Sequence, residues 1–309
     1  MLSSKFSTPM LALIFMGAVN LFAVFRLLGG GDDPRQVAAT EADCESALDK
    51  LDEQFNTRRK ARQETFFNSK ASKRFSSMKQ ITFWDKYEPE ANCFDDERFG
   101  GSVRYKSLGD GPKFVCGVDF IAKKGQNEGC LVYSVGSNND ISFESAVKST
   151  MGCEIHTFDP TVPTAKFVGN NVATFHEWGF GKDGSELGPA YKSAATVIKE
   201  LGHTGRTIDI FKIDCEGCEG VVMPPLLESI ANGDVQVNQV QIELHQLEGF
   251  ANNAAALENF FSAVDKANFR IFHKERNHWG CQGYLCLEYS LVNEKFLRDV
   301  NGEYVCRRV

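Results

Sequence analysis

At 309 residues and 42% hydrophobic side chains, the chain can bury a substantial core, as one α/β domain with extensions or as two domains. A formal charge of −7, from 34 Lys and Arg against 41 Asp and Glu, argues against a general nucleic-acid binder, which needs clustered cations. The one basic stretch, Arg58 to Arg74, suits a solvated stem better than a phosphate-binding face.

After a short tail (residues 1–8), Pro9 to Phe25 is an apolar run of 17 residues interrupted only by Asn20, with Lys5 before it and Arg26 after it. Its length lies at the short edge of a membrane span, and no strong small-x-small cleavage site follows. Residues 9–28 are therefore expected to be an uncleaved signal anchor. Such an anchor leaves the short N-terminus cytoplasmic and the large domain in the lumen of the secretory pathway. Residues 29–80 read as a stem, partly helical, with too few periodic apolar positions to hold a core alone. Residues 81–129 form a flank rich in aromatics, with turns near Gly100-Gly101 and Gly109-Asp-Gly111.

From residue 130 onward strands and helices alternate, the pattern of a parallel sheet covered on both faces. Strands are expected at 130–135, 154–158, 172–176, 207–213, 237–244, 269–273 and 284–292, the last pair forming an antiparallel edge. Helices are expected near 141–151, 188–201 and 254–267. In the first of these, Ile141, Ala146, Val147 and Met151 form the inner face. Gly136 ends the first strand and begins a polar loop, Ser137-Asn138-Asn139-Asp140. Asp159 ends the second strand, 23 residues further on. A turn glycine after one strand and a carboxylate after the next are the two halves of a nucleoside-binding crevice. Asp214 ends the fourth strand and His245 the fifth, so both reach the same sheet edge.

Ten cysteines give no zinc framework. Cys215 and Cys218 have C-x-x-C spacing, but no second close pair completes a structural site. The acidic flanks of Asp-Cys-Glu-Gly-Cys-Glu raise thiol pKa and oppose thioredoxin-like chemistry. The other cysteines are dispersed; a luminal domain would let some pair, in combinations that sequence does not assign. No Asn-x-Ser/Thr sequon is present.

The segments Tyr133-Ser-Val-Gly136, Phe158-Asp159, Leu201-Gly-His203, Ile208 to Glu219 and Glu243-Leu-His245 together resemble the FkbM-like methyltransferase family, specifically its membrane-anchored animal members. The likeness covers roughly residues 80–309, and Lys212-Ile-Asp-Cys-Glu-Gly-Cys-Glu219 is its most specific part. The resemblance implies a class I methyltransferase-like Rossmann fold: an α/β domain over 130–309 with a seven-stranded, mostly parallel sheet, an antiparallel last strand and helices on both faces. It implies S-adenosylmethionine as cofactor and methyl transfer to oxygen. Carried onto this chain, it places Gly136 beneath the methionine part of the cofactor and Ser134, Ser137 and Asn138 at its polar end. Asp159 would take the ribose hydroxyls, and the loop around Glu177 would lie near the adenine. Asp214 and Glu216 would stand where donor and acceptor meet, with His245 as the base; no metal is assigned. The expected acceptor is a hydroxylated small molecule, a glycan or a protein. Against this stands a catalytically inactive domain of the same fold, used for interactions at a membrane. An NAD-dependent oxidoreductase is disfavoured because no G-x-G-x-x-G follows the first strand.

Overall fold

The computed structural model describes residues 41–62, 64, 86–101, 111–163, 169, 171–183, 191–245, 254–277 and 286–307. The apolar run expected to be a signal anchor lies outside them. No helix among the described residues is long and apolar enough to cross a membrane.

Seven strands form the central sheet: β3 (Leu131–Val135), β4 (Glu154–Phe158), β5 (Thr174–His176), β9 (Ile210–Ile213), β11 (Gln239–His245), β12 (Phe269–Arg276) and β13 (Cys286–Asn293). Their spatial order is β12-β13-β11-β9-β3-β4-β5. β3 pairs in parallel with β4 and β9, and β11 continues in parallel from β9. β13 runs antiparallel to both β11 and β12. The chain first builds outward from β3 through β4 to β5, then crosses back to β9. That reversal opens a crevice above the carboxyl ends of β3 and β9. β3 and β9 are buried along their whole length, as continuous apolar strands covered on both faces must be.

Side-chain alternation divides the core. Tyr133, Val135, Phe158, Phe211 and Ile213 face one layer, together with Leu226 and Leu227 of α5 (Glu219–Ala231) and Phe260 and Phe261 of α6 (Ala254–Lys266). Val132, Ile155 and Ile210 face the other, with Ile121 of α2 (Val118–Asn127), Val147 of α3 (Ser142–Met151) and Phe296 of α7 (Glu294–Arg307).

Several boundaries differ from the sequence reading. The expected strand 207–213 breaks at Asp209 into β8 (Thr207–Ile208) and β9, and β8 pairs instead with β10 (Gln236–Val237). The buried Asp209 carboxylate takes bonds from Leu131 N, Lys124 Nζ and Asn238 Nδ2, which holds the break in place. The helix expected from 188 is described only as α4 (Ala194–Glu200), starting where the Ser193 hydroxyl accepts from Thr196 N. On α3 the inner face is Phe143, Glu144, Val147 and Met151; Ile141 and Ala146 stay half-buried.

Within the expected stem, α1 (Glu41–Arg62) packs on α7. Cys44 is bonded to Cys306, and Arg298 of α7 reaches Glu45, Asp49 and Asp52, which share one helical face. The flank supplies an antiparallel pair, β1 (Asp96–Phe99) with β2 (Lys113–Cys116), followed by α2. Cys116 exchanges two hydrogen bonds with the Gln239 side chain, which fastens β2 over β11. That contact carries Lys113 over the carboxyl ends of the sheet.

Candidate active site

The floor of the crevice is built by close approach of β3 and β9. Gly136 has φ of +81°, and a Cβ there would fall 1.7 Å from the Asp214 carbonyl oxygen. No other residue fits. Lys212 donates to the Gly136 carbonyl from the opposite strand, so the turn is clamped by charge as well as sterics. Asn138 and Asn139 carry the loop onward in left-handed conformations, at φ of 43° and 65°.

Asp159 organises this loop. Its Oδ2 accepts from Ser137 N at 3.0 Å, Ser137 Oγ at 3.1 Å and Asn138 N at 2.9 Å, while Oδ1 accepts from Thr161 N and Oγ1. Burial alone would raise its pKa, but these hydrogen bonds outweigh it and hold the carboxyl below its usual range. Ser137, Asn138 and Asp159 therefore stand together beside Gly136.

Ser134 is a correction. It is fully buried, and its hydroxyl donates to Glu144 of α3 at 2.5 Å. It sits one residue off the β3 face that carries Tyr133 and Val135, so its side chain enters the strand–helix interface instead of the crevice. Glu177 stands exposed between β5 and the short parallel pair β6 (Gly179–Phe180) with β7 (Tyr191–Lys192), beside Trp178, whose ring lies 3.6 Å beneath the Lys192 ammonium.

The expected catalytic residues do converge. His245 Nε2 is 4.0 Å from Asp214 Oδ1 and 3.4 Å from Glu216 Oε2. Its Nδ1 is 3.0 Å from Oε1 of the fully buried Glu219, which also accepts from Cys215 N. Glu219 thus fixes the tautomer with the proton on Nδ1 and leaves Nε2 pointing toward Asp214 and Glu216. Burial would lower the His245 pKa; the Glu219 hydrogen bond and the charges of Glu219, Asp214 and Glu216 overcome it and raise it. Glu216 is mostly exposed, in a left-handed conformation (φ 54°) inside a loop closed by the Cys215–Cys218 disulfide.

Behind this group lies a buried charge cluster. Lys113 Nζ is 3.1 Å from Asp214 Oδ2, 2.5 Å from Glu288 Oε1 and 3.8 Å from Glu243 Oε2. Burial opposes ionisation of Asp214, but Lys113, Lys212 and His245 hold it well below the usual carboxylate range. Burial and the charges of Glu288 and Asp214 push Glu243 up to about 10, so it is protonated at neutral pH. Asn277 donates to its Oε1 at 2.9 Å. Donor atoms of Asp214, Glu216 and His245 lie within 4.8 Å of one another, as do those of Asp214, Glu243 and Glu288. In the second set the Lys113 ammonium already supplies the countercharge.

Residues 43–293 match the family described as Methyltransferase domain. The chain belongs to that family. Among curated proteins it is 25% identical over 174 residues to "Probable methyltransferase-like protein 24" of Homo sapiens, covering 51% of this chain and 46% of that one. The Rattus norvegicus counterpart is 26% identical over 161 residues, covering 47% and 42%. The chain thus spans less than half the length of these relatives. Among solved structures, the Methanococcus jannaschii fibrillarin pre-rRNA processing protein aligns with a TM-score of 0.37 at 9% identity, covering 64% of this chain and 88% of that one. A Burkholderia thailandensis 1,6-didemethyltoxoflavin-N1-methyltransferase aligns at 0.31 and 12%, covering 57% and 78%. The class I methyltransferase arrangement is read from the strand order and the antiparallel β13 described above.

Four members of this methyltransferase site were missed in the sequence. Lys113 sat in a flank without a legible fold. Glu219 enters the sequence reading only as the end of the Lys212–Glu219 motif, although its place four residues after Cys215 allows it to reach back over the loop. Glu243 and Glu288 give no local signal because their common partner is Lys113, over a hundred residues away.

Proposed function

We propose that the protein is an S-adenosylmethionine-dependent methyltransferase acting on a hydroxyl oxygen, with His245 as the base. The observation that carries this reading is the Glu219–His245 pair, aimed from the end of β11 at the crevice beside Gly136 and Asp214. The residues fit the donor: a glycine turn keeps the crevice floor free of side chains, and Ser137, Asn138 and Asp159 offer polar partners next to it. S-adenosylmethionine, when bound, supplies an electrophilic methyl group on a sulfonium. His245 Nε2 would take the acceptor hydroxyl's proton as the oxygen–methyl bond forms and the sulfur–methyl bond breaks. Asp214, held ionised by Lys113, would orient that hydroxyl and stabilise the imidazolium. Glu216 lies at the solvent side and would contact the acceptor. The motifs from Tyr133 to Gly136 and from Lys212 to Glu219 support placing the protein among FkbM-like enzymes.

The acceptor class we favour is a glycan, a secreted protein or a small hydroxylated molecule, met in the lumen of the secretory pathway. The disulfides support that compartment: Cys44–Cys306, Cys93–Cys116, Cys130–Cys153 and Cys215–Cys218 are formed, Cys286 is also disulfide-bonded, and no described cysteine is free. The run Pro9 to Phe25 would be the membrane anchor.

One observation favours the inactive reading. Both Asp159 oxygens are engaged by the protein's own groups, so ribose hydroxyls would have to displace the Ser137 or Asn138 bonds. Calorimetric titration of the purified protein with S-adenosylmethionine, with NAD as comparator, separates the two. Saturable binding of the methyl donor, weakened in a folded Asp159→Ala variant, supports the enzyme. No binding by folded protein refutes it and favours an interaction domain.

A further inference from the structure

A second cluster of ligating side chains stands at the opposite edge of the sheet from the crevice. Glu154 opens β4, and its register partner Leu131 opens β3. The Cys130–Cys153 disulfide lies one residue before this pair and pins the edge. His156 lies two residues on, on the same strand face, and His203 arrives from the turn after α4. His156 Nε2 is 3.0 Å from Glu154 Oε1, and His203 Nε2 is 3.4 Å from the same oxygen. All three donor atoms lie within 4.8 Å of one another. Tetrahedral zinc bound at about 2.0–2.2 Å sets its donors roughly 3.3–3.5 Å apart.

The outer contacts match as well. His156 Nδ1 is 2.9 Å from His176 Nε2, His203 Nδ1 is 2.8 Å from the Tyr133 hydroxyl, and Arg206 holds the other Glu154 oxygen at 2.8 Å. Each prospective ligand thus has a partner on its non-ligating atom, the arrangement that orients metal ligands. The imidazole partners can also reverse roles. With both Nε2 atoms protonated toward Glu154, His176 and Tyr133 donate to the Nδ1 atoms. With the Nε2 atoms free to ligate, each Nδ1 donates instead, and Tyr133 and His176 accept. No net proton release from neutral rings is needed. His156 and His203 are buried, whereas Glu154 is 45% exposed and gives an ion a path from solvent.

We propose that Glu154, His156 and His203 form a site for a divalent transition metal, zinc by ligand type, with water completing the coordination. The bound ion would tie α4's trailing turn to the amino-terminal edge of the sheet.

The test uses chelator-treated full-length protein dialysed against zinc, with cobalt as a spectroscopic substitute. One zinc per chain is expected, with visible ligand-field absorption from cobalt and a rise in melting temperature on adding zinc. Tyr133→Phe should weaken zinc binding roughly 10–100-fold. His203→Gln and Glu154→Gln should abolish the cobalt spectrum, and Glu154→Gln alters only an exposed side chain, so it guards against misfolding. His245→Ala should retain the site. Absence of stoichiometric zinc, or zinc that survives in Glu154→Gln and His203→Gln but is lost in His245→Ala, would overturn the assignment.

Discussion

Lys113→Met removes the only cation within 4 Å of Glu288 and Glu243 among the described ion pairs, while keeping an unbranched side chain of similar length. At the observed separations of 3.1 and 2.5 Å, its attractions to Asp214 and Glu288 are on the order of 5–7 kcal/mol each at an effective dielectric of 20. Much of that is offset by the cost of burying the ammonium. The informative quantity is what remains when one partner is deleted: the buried Glu288 carboxylate without a countercharge, beside an Asp214 that keeps only Lys212 and His245, a loss of roughly 3–5 kcal/mol. For a domain of this size that corresponds to a melting temperature lower by about 6–20 °C. The pH dependence has a defined sign. In the wild type, Asp214 is held below its unfolded pKa, so its stabilisation is present above that value and fades as pH falls through the folded one. Without Lys113 the Glu288 carboxyl, already raised by burial, rises further, so the variant gains stability relative to its unfolded chain as pH falls. The deficit should be full at pH 8 and smaller near pH 5. Adding Glu288→Gln should recover part of it by removing one stranded charge. Thermal unfolding of the three proteins at both pH values decides the matter. A Lys113→Met protein melting within 2 °C or so of wild type at pH 8 would refute the idea that this lysine neutralises a buried acidic cluster.

Gly136→Ala should destabilise by roughly 2–4 kcal/mol, combining left-handed strain with overlap on the Asp214 carbonyl, and should abolish donor binding in whatever fraction stays folded. Calorimetry together with chemical denaturation reads both. His245→Ala should cost roughly 10²–10⁴ in kcat once an acceptor is in hand. Because the folded His245 pKa is raised, the acidic limb of kcat/KM should lie above about 6.5, and Glu219→Gln should move that limb downward in pH; a limb unmoved by Glu219→Gln would disconnect the pair from catalysis. Replacing Cys215 and Cys218 together by serine releases a four-residue loop, worth about 2 kcal/mol by chain entropy. The loop contains Glu216 and is flanked by Asp214 and Glu219, so turnover should fall more than the melting temperature suggests, as steady-state assays alongside thermal melts would reveal.

The parallel core was legible because its information is local. Leu131 to Val135 is a short, mostly apolar run, Val240 to Leu244 places apolar residues in strand alternation, and Glu154 to Phe158 carries apolar residues on both faces; each stops at a glycine or a polar residue, and strand identity follows from that pattern alone. The same logic brought Gly136, Asp159, Asp214 and His245 to one sheet edge, since all of them end strands or follow directly from one. Helix α5 escaped local reading because Pro224 and Pro225 interrupt it; packing of Val222, Met223, Leu226 and Leu227 against the sheet holds it nonetheless. Only tertiary structure decided that Ser134 turns into α3, that Glu219 orients His245, and that Lys113 joins Asp214, Glu243 and Glu288. It also decided the disulfide partners and the meeting of Glu154 and His156 with His203. These pairings span from a few residues to more than 250, and no periodicity encodes them. Sequence determines which strands form and which residues end them; only the assembled sheet determines which charges share a buried space, because a buried charge takes its partner from whatever folding brings within a few ångströms.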